Sequence, residues 1–261
     1  MTRTRGEPDR RELPAYGAGS VEVPWVIGVF DEVVDRPTEW SGHSHPTHEL
    51  LWNERGASSA TVGRRTWTIT PRLGLWMPAG TLHSARAAAG TWYRATHFST
   101  PVVRAIADVP VVVEITPLLR LLLRRLEEPG LRADSRRITE VMVVDVLAPS
   151  PRQISVVVPG SELLRPLVTA IRANPGDRRS LADWAAELGV SARTITRAFR
   201  AETGTGFTGW VSAVRAESAV ALLAAGEEIE DVAAEVGYSS VSAFGAALRK
   251  ATGLTPGAFR R

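Results

Sequence analysis

The sequence of 261 residues contains no cysteine. This absence excludes disulfide bridges and thiolate metal sites, and it favours a cytoplasmic protein. The sequence also lacks an apolar run of the roughly 18 residues that a membrane-spanning helix needs. Its first residues are charged and have no apolar stretch, unlike a secretory signal. We therefore expect neither secretion nor a membrane partner.

A strong excess of positive charge is missing as well. The 31 basic residues, of which Lys250 is the only lysine, face 28 acidic residues, and the formal net charge is +3. A nucleic-acid partner therefore cannot be argued from total charge and depends on where the arginines lie. The chain does contain 44% hydrophobic and 23% charged residues, a balance typical of globular proteins. Its length allows one large domain or two domains of ordinary size.

The first third of the chain has the pattern of a β domain. Residues 1–20 are polar and interrupted by Pro and Gly, and they predict a disordered tail. Residues 21–100 contain short β-rich pieces separated by Gly, Pro and Ser, as in an all-β sandwich or small barrel. All five His of the chain lie in this region. The difference in composition from the rest of the chain predicts two domains.

Residues 101–148 have a helical pattern. Leucines recur on one broad face after Pro117, and Ser135 is the expected cap of a second helix. These two amphipathic helices would either pack within the monomer or form a dimer interface, and the sequence leaves both alternatives open. We predict that residues 101–148 are the dimerisation segment of a homodimer. Residues 149–160 are rich in proline and predict a linker.

Residues 161–261 contain an internal repeat. In each copy a short amphipathic helix ends at a glycine, Gly189 or Gly237, and a Ser then begins a second helix. This is the pattern of a helix-turn-helix, with units at about 180–204 and 228–253. The helix expected between them spans roughly 28 Å, which would place the two units in successive major grooves of a duplex. The pattern predicts an all-α domain that binds double-stranded DNA.

The second helix of the first copy is the predicted reading helix. At 100° per residue, Ile195 and Phe199 fall on its inner side. The opposite side presents Arg193, Thr196, Arg197 and Arg200. Arginine matches guanine edges in the major groove, and Arg and Thr also bind phosphate. In the second copy Ser242 is the candidate base contact, and Arg249 and Lys250 are placed for phosphate, so that helix is predicted to anchor rather than read.

Residues 161–261 resemble the DNA-binding domain of AraC/XylS-type bacterial transcription regulators. The resemblance depends on LADWAAELGVSARTITRAFRAETG in the first copy, and on VAAEVGYSSVSAF and LRKATGLTPGAFR in the second. It implies that Arg193, Thr196 and Arg197 contact bases. Ala246 stands where the family often has a polar or basic residue, which favours weak base recognition by the second copy. The resemblance also implies a small-molecule effector, and RNA polymerase is a further candidate partner.

The β region is similar to the small cupin barrels that many such regulators use to bind effectors and to dimerise. His43, His45, Glu49 and the later Gly56 fit the first cupin motif, and PAGTLH, which ends at His83, fits the core of the second. In metal-binding cupins the three His and the Glu converge on one ion, and such ligands suit Zn, Ni, Fe or Mn. Many regulator cupins hold no metal. The alternative is that these side chains form a polar pocket for an organic effector, so that no cofactor is required.

The resulting expectation is a two-domain, non-enzymatic protein: an all-β cupin-like barrel with a helical dimerisation segment, and an all-α tandem helix-turn-helix. It would regulate transcription by binding specific DNA sequences, under the control of an effector in the barrel. The alternative is a metal-dependent cupin enzyme, such as a dioxygenase or isomerase, with an accessory helical domain. That alternative depends on the retained His and Glu residues alone. His48 and His97 are expected to be incidental, as a strand neighbour and a core histidine.

Overall fold

A computed structural model describes residues 7–260. The chain divides into two compact units. The first extends to Val62 and continues over Ile69–Gln153, and the second comprises Gly63–Thr68 and the chain from Ile154 onward. A short piece of the predicted β region therefore folds with the C-terminal unit. Within residues 7–260, no helix is both long enough and apolar enough to cross a bilayer.

The first unit is built mainly from two β-sheets. In chain order the strands are β1 (Asp9–Arg11), β2 (Ile27–Val33), β3 (Thr38–His43), β4 (His48–Arg55), β5 (Ser58–Val62), β6 (Arg65–Ile69), β7 (Leu73–Met77), β8 (His83–Ala87), β9 (Trp92–Phe98) and β10 (Val111–Glu114), of which β6 lies almost entirely in the second unit. One sheet of the first unit contains β1, β3, β8 and β5 in that order, and the other contains β10, β7, β4, β9 and β2. The pairing is antiparallel except between β1 and β3.

The predicted β-rich domain is confirmed, and the closed barrel is not. Over the described residues both sheets are open, with β2 and β10 at the two edges of one of them. The central strand of that sheet, β4, is covered on both faces, which explains its continuous buried run from His48 to Asn53.

The predicted disordered tail differs from the structure. Residues 1–6 lie outside the described residues, but Asp9–Arg11 form a strand parallel to β3. The guanidinium of Arg11 donates to both carboxylate oxygens of Glu32, at 2.6 and 2.8 Å. Further along, Ala15 bridges to Ser44. The polar composition that predicted disorder instead supplies an ion pair and a sheet edge.

Two helices complete the first unit, α1 (Pro117–Arg125) and α2 (Ala133–Val146). Thr116 caps α1 by accepting the backbone N–H of Leu119, and Pro117 occupies the first turn. The predicted cap at Ser135 is wrong, because α2 is already helical two residues earlier, at Ala133. The inner faces of both helices pack on the sheet core, in a cluster that includes Trp52, Trp76, Phe98, Leu119, Leu123 and Val143.

The second unit contains two helix-turn-helix pairs joined by a long helix. The helices are α3 (Arg165–Ala173), α4 (Leu181–Glu187), α5 (Ala192–Thr203), α6 (Phe207–Ala224), α7 (Ile229–Glu235) and α8 (Val241–Thr252). The pairs are α4–α5 and α7–α8, and α6 joins them. A strand, β11 (Ser155–Val157), lies within the predicted linker and pairs with Arg65–Trp67 of β6. The predicted helical domain is therefore confirmed, with a two-stranded addition.

Local sequence explains the helix-turn-helix geometry. Ser180 and Asp183 form a reciprocal capping box at the start of α4. Ser191 caps α5 by accepting from the backbone N–H of Thr194. Gly189 in the first turn and Gly237 in the second have φ values of +66° and +86°, which residues other than glycine rarely adopt.

Candidate functional site

A cavity of about 350 Å³ lies between the two sheets of the first unit. Its walls are mostly apolar, and its polar groups are dominated by imidazoles. This volume and this lining are typical of a pocket for a small organic molecule. The lining residues are Arg11, Leu13, Phe30, Trp40, His43, His45, Glu49, Leu51, Ser58, His83, Ala85, Arg86, Tyr93, Ala95 and His97.

Three of the predicted metal ligands meet in this cavity. One ring nitrogen from each of His43, His45 and His83 lies within 4.8 Å of the others. Nδ1 of His43 is 2.7 Å from the carbonyl oxygen of Ser41, and Nδ1 of His83 is 2.9 Å from that of Thr81. Because a carbonyl only accepts, each neutral ring holds its proton on Nδ1 and keeps a lone pair on Nε2. Metal-binding histidines are commonly oriented by such a bond.

Glu49, the fourth predicted ligand, lies beside the same histidines. Its Oε1 is 3.7 Å from Nε2 of His45, and its Oε2 is 3.5 Å from Nε2 of His83. Neither distance is a hydrogen bond, and Oε2 is buried without a hydrogen-bond partner among the described residues. A buried polar atom without a partner is costly. The residues present therefore fit a divalent ion, which would satisfy this oxygen.

Burial keeps His45, His83 and Glu49 close to neutral. It lowers the pKa of His45 to about 3 and that of His83 to about 4. It also raises the pKa of Glu49 to about 8. Unprotonated imidazoles can bind a metal or accept a hydrogen bond from a ligand, whereas imidazolium can do neither.

His97, which the sequence predicts to be an incidental core histidine, is buried and also lines the cavity. Its ring lies 4.9 Å from that of His45, and burial lowers its pKa to about 4. On β9 it follows Tyr93 and Ala95 at alternate positions, and all three line the cavity. That alternation was the sequence signal for its position. His48 points elsewhere, and its Nδ1 accepts from the backbone N–H of Ala79 at 3.0 Å.

The predicted reading helix, α5, is anchored on one side and free on the other. Ile195 and Phe199 are fully buried in the core of the second unit. Arg193, Arg197 and Arg200 are exposed, and no carboxylate among residues 7–260 pairs with any of them. Thr196 is partly buried, and its hydroxyl donates to the carbonyl of Ala192 at 2.9 Å. Its lone pairs and methyl group remain for a partner.

The second predicted DNA helix, α8, has a less polar outer face. Ser242, Arg249 and Lys250 are exposed, as the sequence predicts. Phe244 and Leu248 hold the helix to the core. Between Ser242 and Arg249 the exposed surface of α8 consists of small residues such as Ala243 and Ala246.

Comparisons with known proteins agree with the two units. A model of the AraC-like ligand binding domain matches residues 36–142, and a model of a helix-turn-helix domain matches residues 184–261. The chain is similar to the HTH-type transcriptional regulator NimR of Escherichia coli strain K12, at 27% identity over 221 residues. That match covers 83% of this chain and 81% of NimR. The HTH-type transcriptional regulator RipA of Corynebacterium glutamicum is 39% identical over 101 residues, which are 39% of this chain and 30% of RipA.

The chain was also matched to solved structures, two of which are described here. The C-terminal domain of AraT, a response regulator from Geobacillus stearothermophilus, is 29% identical over 39% of this chain and 85% of its own, with a TM-score of 0.37. Unsaturated fatty acid bound wild-type ToxT from Vibrio cholerae is 12% identical over 89% of this chain and 93% of its own, with a TM-score of 0.35. The two family matches, the relative that spans both units and the paired helix-turn-helix geometry lead to one conclusion. The chain belongs to the AraC family of DNA-binding transcription regulators and has an N-terminal ligand-binding domain.

Proposed function

We propose that this regulator reads its operator through α5 and that a small effector in the cavity of the first unit controls the binding. The observation that supports operator reading is the row of unpaired arginines on α5. Arg193 and Arg197 lie one helical turn apart on the exposed side, and within the described part of the chain no carboxylate pairs with either of them. Such side chains are free to form paired hydrogen bonds with guanine.

The remaining candidate residues have supporting roles. Thr196 lies between the two arginines and offers its methyl group and lone pairs to a base or phosphate. Arg200, in the last turn of α5, is placed for the phosphate backbone. On α8, Ser242 is the base contact, and Arg249 and Lys250 bind phosphate. One helix thus reads sequence and the other anchors the protein.

Titration of a labelled duplex from the chain's own upstream region, followed by fluorescence anisotropy, tests this proposal. The double variant Arg193→Ala with Arg197→Ala should lose affinity for that duplex and also its preference over a scrambled one. Each lost base contact should cost about 1–3 kcal/mol. The matched control, Arg249→Ala with Lys250→Ala, removes the same charge and should weaken both duplexes alike. Wild-type affinity and selectivity in the first variant would show that α5 is not the reader.

We also propose that α1 and α2 form the interface of a homodimer in the cytoplasm. Their outer faces expose Leu118, Leu121, Ile138, Val141 and Met142, and Leu121 and Val141 are each 64% exposed. Clustered apolar side chains of this kind mark interaction sites. Two binding units on one operator would then be held by one dimer, and contact with RNA polymerase is part of the same proposal.

Sedimentation velocity tests the dimer. Leu121→Glu places a charge on the proposed interface and should give a monomer at micromolar concentration. Val109→Glu, which changes an equally exposed apolar residue outside the two helices, is the control and should remain a dimer. A wild-type protein that sediments as a monomer would contradict this part of the proposal.

A divalent metal in the cavity is a second proposal, supported by the unpartnered Oε2 of Glu49. His43, His45 and His83 would hold the ion through Nε2, with Glu49 as the fourth ligand, as the sequence resemblance implies. Zn, Ni, Fe and Mn all suit this set of ligands. A bound ion would supply a Lewis acid to which an oxygen or nitrogen atom of the effector coordinates. Without the ion, the same residues are polar groups in the cavity wall that can form hydrogen bonds with an organic effector.

Elemental analysis after dialysis against each metal distinguishes these alternatives. About one equivalent should remain on the wild-type chain and be lost from His45→Ala. His48→Ala is the matched control, because His48 lies outside this cavity, and it should keep the metal. Equal retention by both variants would refute the site. We further propose that the protein has no catalytic activity, because the relatives described above are transcriptional regulators.

A further inference from the structure

The DNA-binding unit includes a segment from the middle of the ligand-binding sequence. Residues Gly63–Thr68 fold with the C-terminal unit. Within that unit, Arg65–Trp67 pair with β11, and the carbonyl of Arg64 accepts from the backbone N–H of Val158 at 2.7 Å. The sequence predicts no such pairing, because about 90 residues separate the two strands. This segment follows directly on β5, whose Ser58 lines the cavity.

Glu202, in the last turn of α5, contacts Arg64 of this segment and the backbone that precedes α3. Its Oε2 accepts the backbone N–H groups of Gly160 and Ser161, at 2.6 and 3.1 Å. It is also 3.4 Å from a terminal nitrogen of Arg64. We call these four residues the Glu202 clasp. The Glu202 side chain is 18% exposed, so the contacts are only partly open to solvent.

The electrostatics of the Glu202 clasp favour the ionised carboxylate. Burial opposes ionisation, but hydrogen bonds from Ser161 and Gly160 and the charge of Arg64 outweigh it and lower the pKa of Glu202. Hydrogen bonds to a charged group are about twice as strong as neutral ones.

The other side of the Glu202 clasp is fixed to the core. Nε1 of Trp210 on α6 donates to the carbonyl of Val157 at 2.8 Å. Val156 is buried in the same cluster as Trp184 and Phe199. The strand that precedes Gly160 is therefore packed on the core. Hydrogen bonds from Gly160 and Ser161 to Glu202 join the C-terminal end of α5 to the chain that follows this strand.

We propose that Glu202 is a positioning residue for operator reading: through Arg64, Gly160 and Ser161 it sets the orientation in which α5 presents Arg193 and Arg197. This inference rests on the proposed reading role of α5. In the sequence, Arg64 comes two residues after the end of β5, whose Ser58 lines the cavity. Glu202 itself does not touch DNA in this proposal.

Substitutions in the full chain test the proposal with the same labelled duplex, well below the unfolding temperature. Glu202→Gln keeps the size of the side chain but removes the charge. Losing a carboxylate should by itself favour DNA, so weaker binding must come from lost positioning. We expect the dissociation constant to rise at least about fivefold. Glu235→Gln, on the exposed face of α7, is the charge-matched control and should bind at least as tightly as wild type.

A double-mutant cycle shows whether Arg64 acts through Glu202. Arg64→Ala should weaken binding about two- to threefold, because the ion pair is half exposed. The double variant should bind no more weakly than Glu202→Gln alone. If Arg64 instead contacted a phosphate, the two effects would multiply and the salt slope would fall by about 1. Multiplied effects would overturn the proposal.

Three further outcomes are decisive. A lowered melting temperature with wild-type affinity for DNA would show that Glu202 is only structural. If Arg193→Ala with Arg197→Ala weakens binding but Glu202→Gln does not, the Glu202 clasp is refuted and the reading helix stands. If the arginine variant binds like wild type, the reading role of α5 fails, and the positioning role fails with it.

Discussion

Glu54 should be the most stabilising carboxylate of the ligand-binding unit. It lies near the end of β4, with a side chain that is 3% exposed. Its oxygens accept hydrogen bonds from Arg94, Arg120 and Arg124, at distances between 2.6 and 2.9 Å. Two of these arginines lie on α1. Glu54 therefore connects the central strand of one sheet to the helix that we assign to the dimer interface.

The expected magnitude follows from the pKa. Burial raises the pKa of Glu54, but the three arginines outweigh burial and lower it from 4.5 to about 2. A pKa lowered by this much in the folded state corresponds to about 3 kcal/mol of folding stability. Arg124 is half exposed, so solvent screens its share, and we expect about 2 kcal/mol. Because the folded pKa is depressed, this stabilisation is present above pH 4.5 and is lost as the pH falls toward 2.

Urea denaturation followed by circular dichroism measures the effect. Glu54→Gln should lower the free energy of unfolding by about 2 kcal/mol at pH 7, and the melting temperature by about 4–8 °C. The difference in the free energy of unfolding between Glu54→Gln and the wild type should become smaller as the pH falls from 4.5 to 2. Glu128→Gln, an exposed carboxylate after α1, is the control and should change stability little. Equal stability of Glu54→Gln and wild type at pH 7, or a gap that does not narrow, would refute the assignment.

Three further predictions concern the two units. Phe199→Ala removes a fully buried ring on the inner face of α5 and should destabilise the DNA-binding unit by about 3–5 kcal/mol. Calorimetry would measure this as a lower unfolding temperature for that unit. Gly237→Ala places a Cβ 3.0 Å from the backbone of Gly176 at a φ of +86°, and it should lower the melting temperature more than Gly245→Ala, where a Cβ meets open space. Ala95→Phe fills the cavity, so compounds that raise the melting temperature of the wild type should no longer do so; an undiminished response would place their site elsewhere.

The sequence predicts the helical half well because its information is local. Ser180 with Asp183, Ser191 and Gly189 each specify a cap or turn within a few residues. The spacing of Ile195 and Phe199 then fixes which side of α5 is buried. No distant contact is needed to infer that Arg193 and Arg197 face outward.

The β half depends on contacts that the sequence does not reveal. His43, His45 and His83 are recoverable from motif spacing, but His97 enters the cavity because β9 pairs with β4, where it lies opposite Glu49. Arg11 is ordered by Glu32, 21 residues later. The pairing of Arg65–Trp67 with β11 joins segments that are separated in the sequence by β7 to β10 and by α1 and α2. Polar composition and local pattern contain no information on these partners.

The discontinuous composition of the DNA-binding unit has a consequence for biosynthesis. Gly63–Thr68 leave the ribosome long before Ser155–Val157, and until then this strand has no β11 to pair with. Trp67 remains without its partner during that interval. A C-terminal fragment cloned from residue 161 would also lack both strands, together with two of the three groups that hold Glu202, Gly160 and Arg64. The two units are interleaved along the chain, so neither can be excised by a single cut.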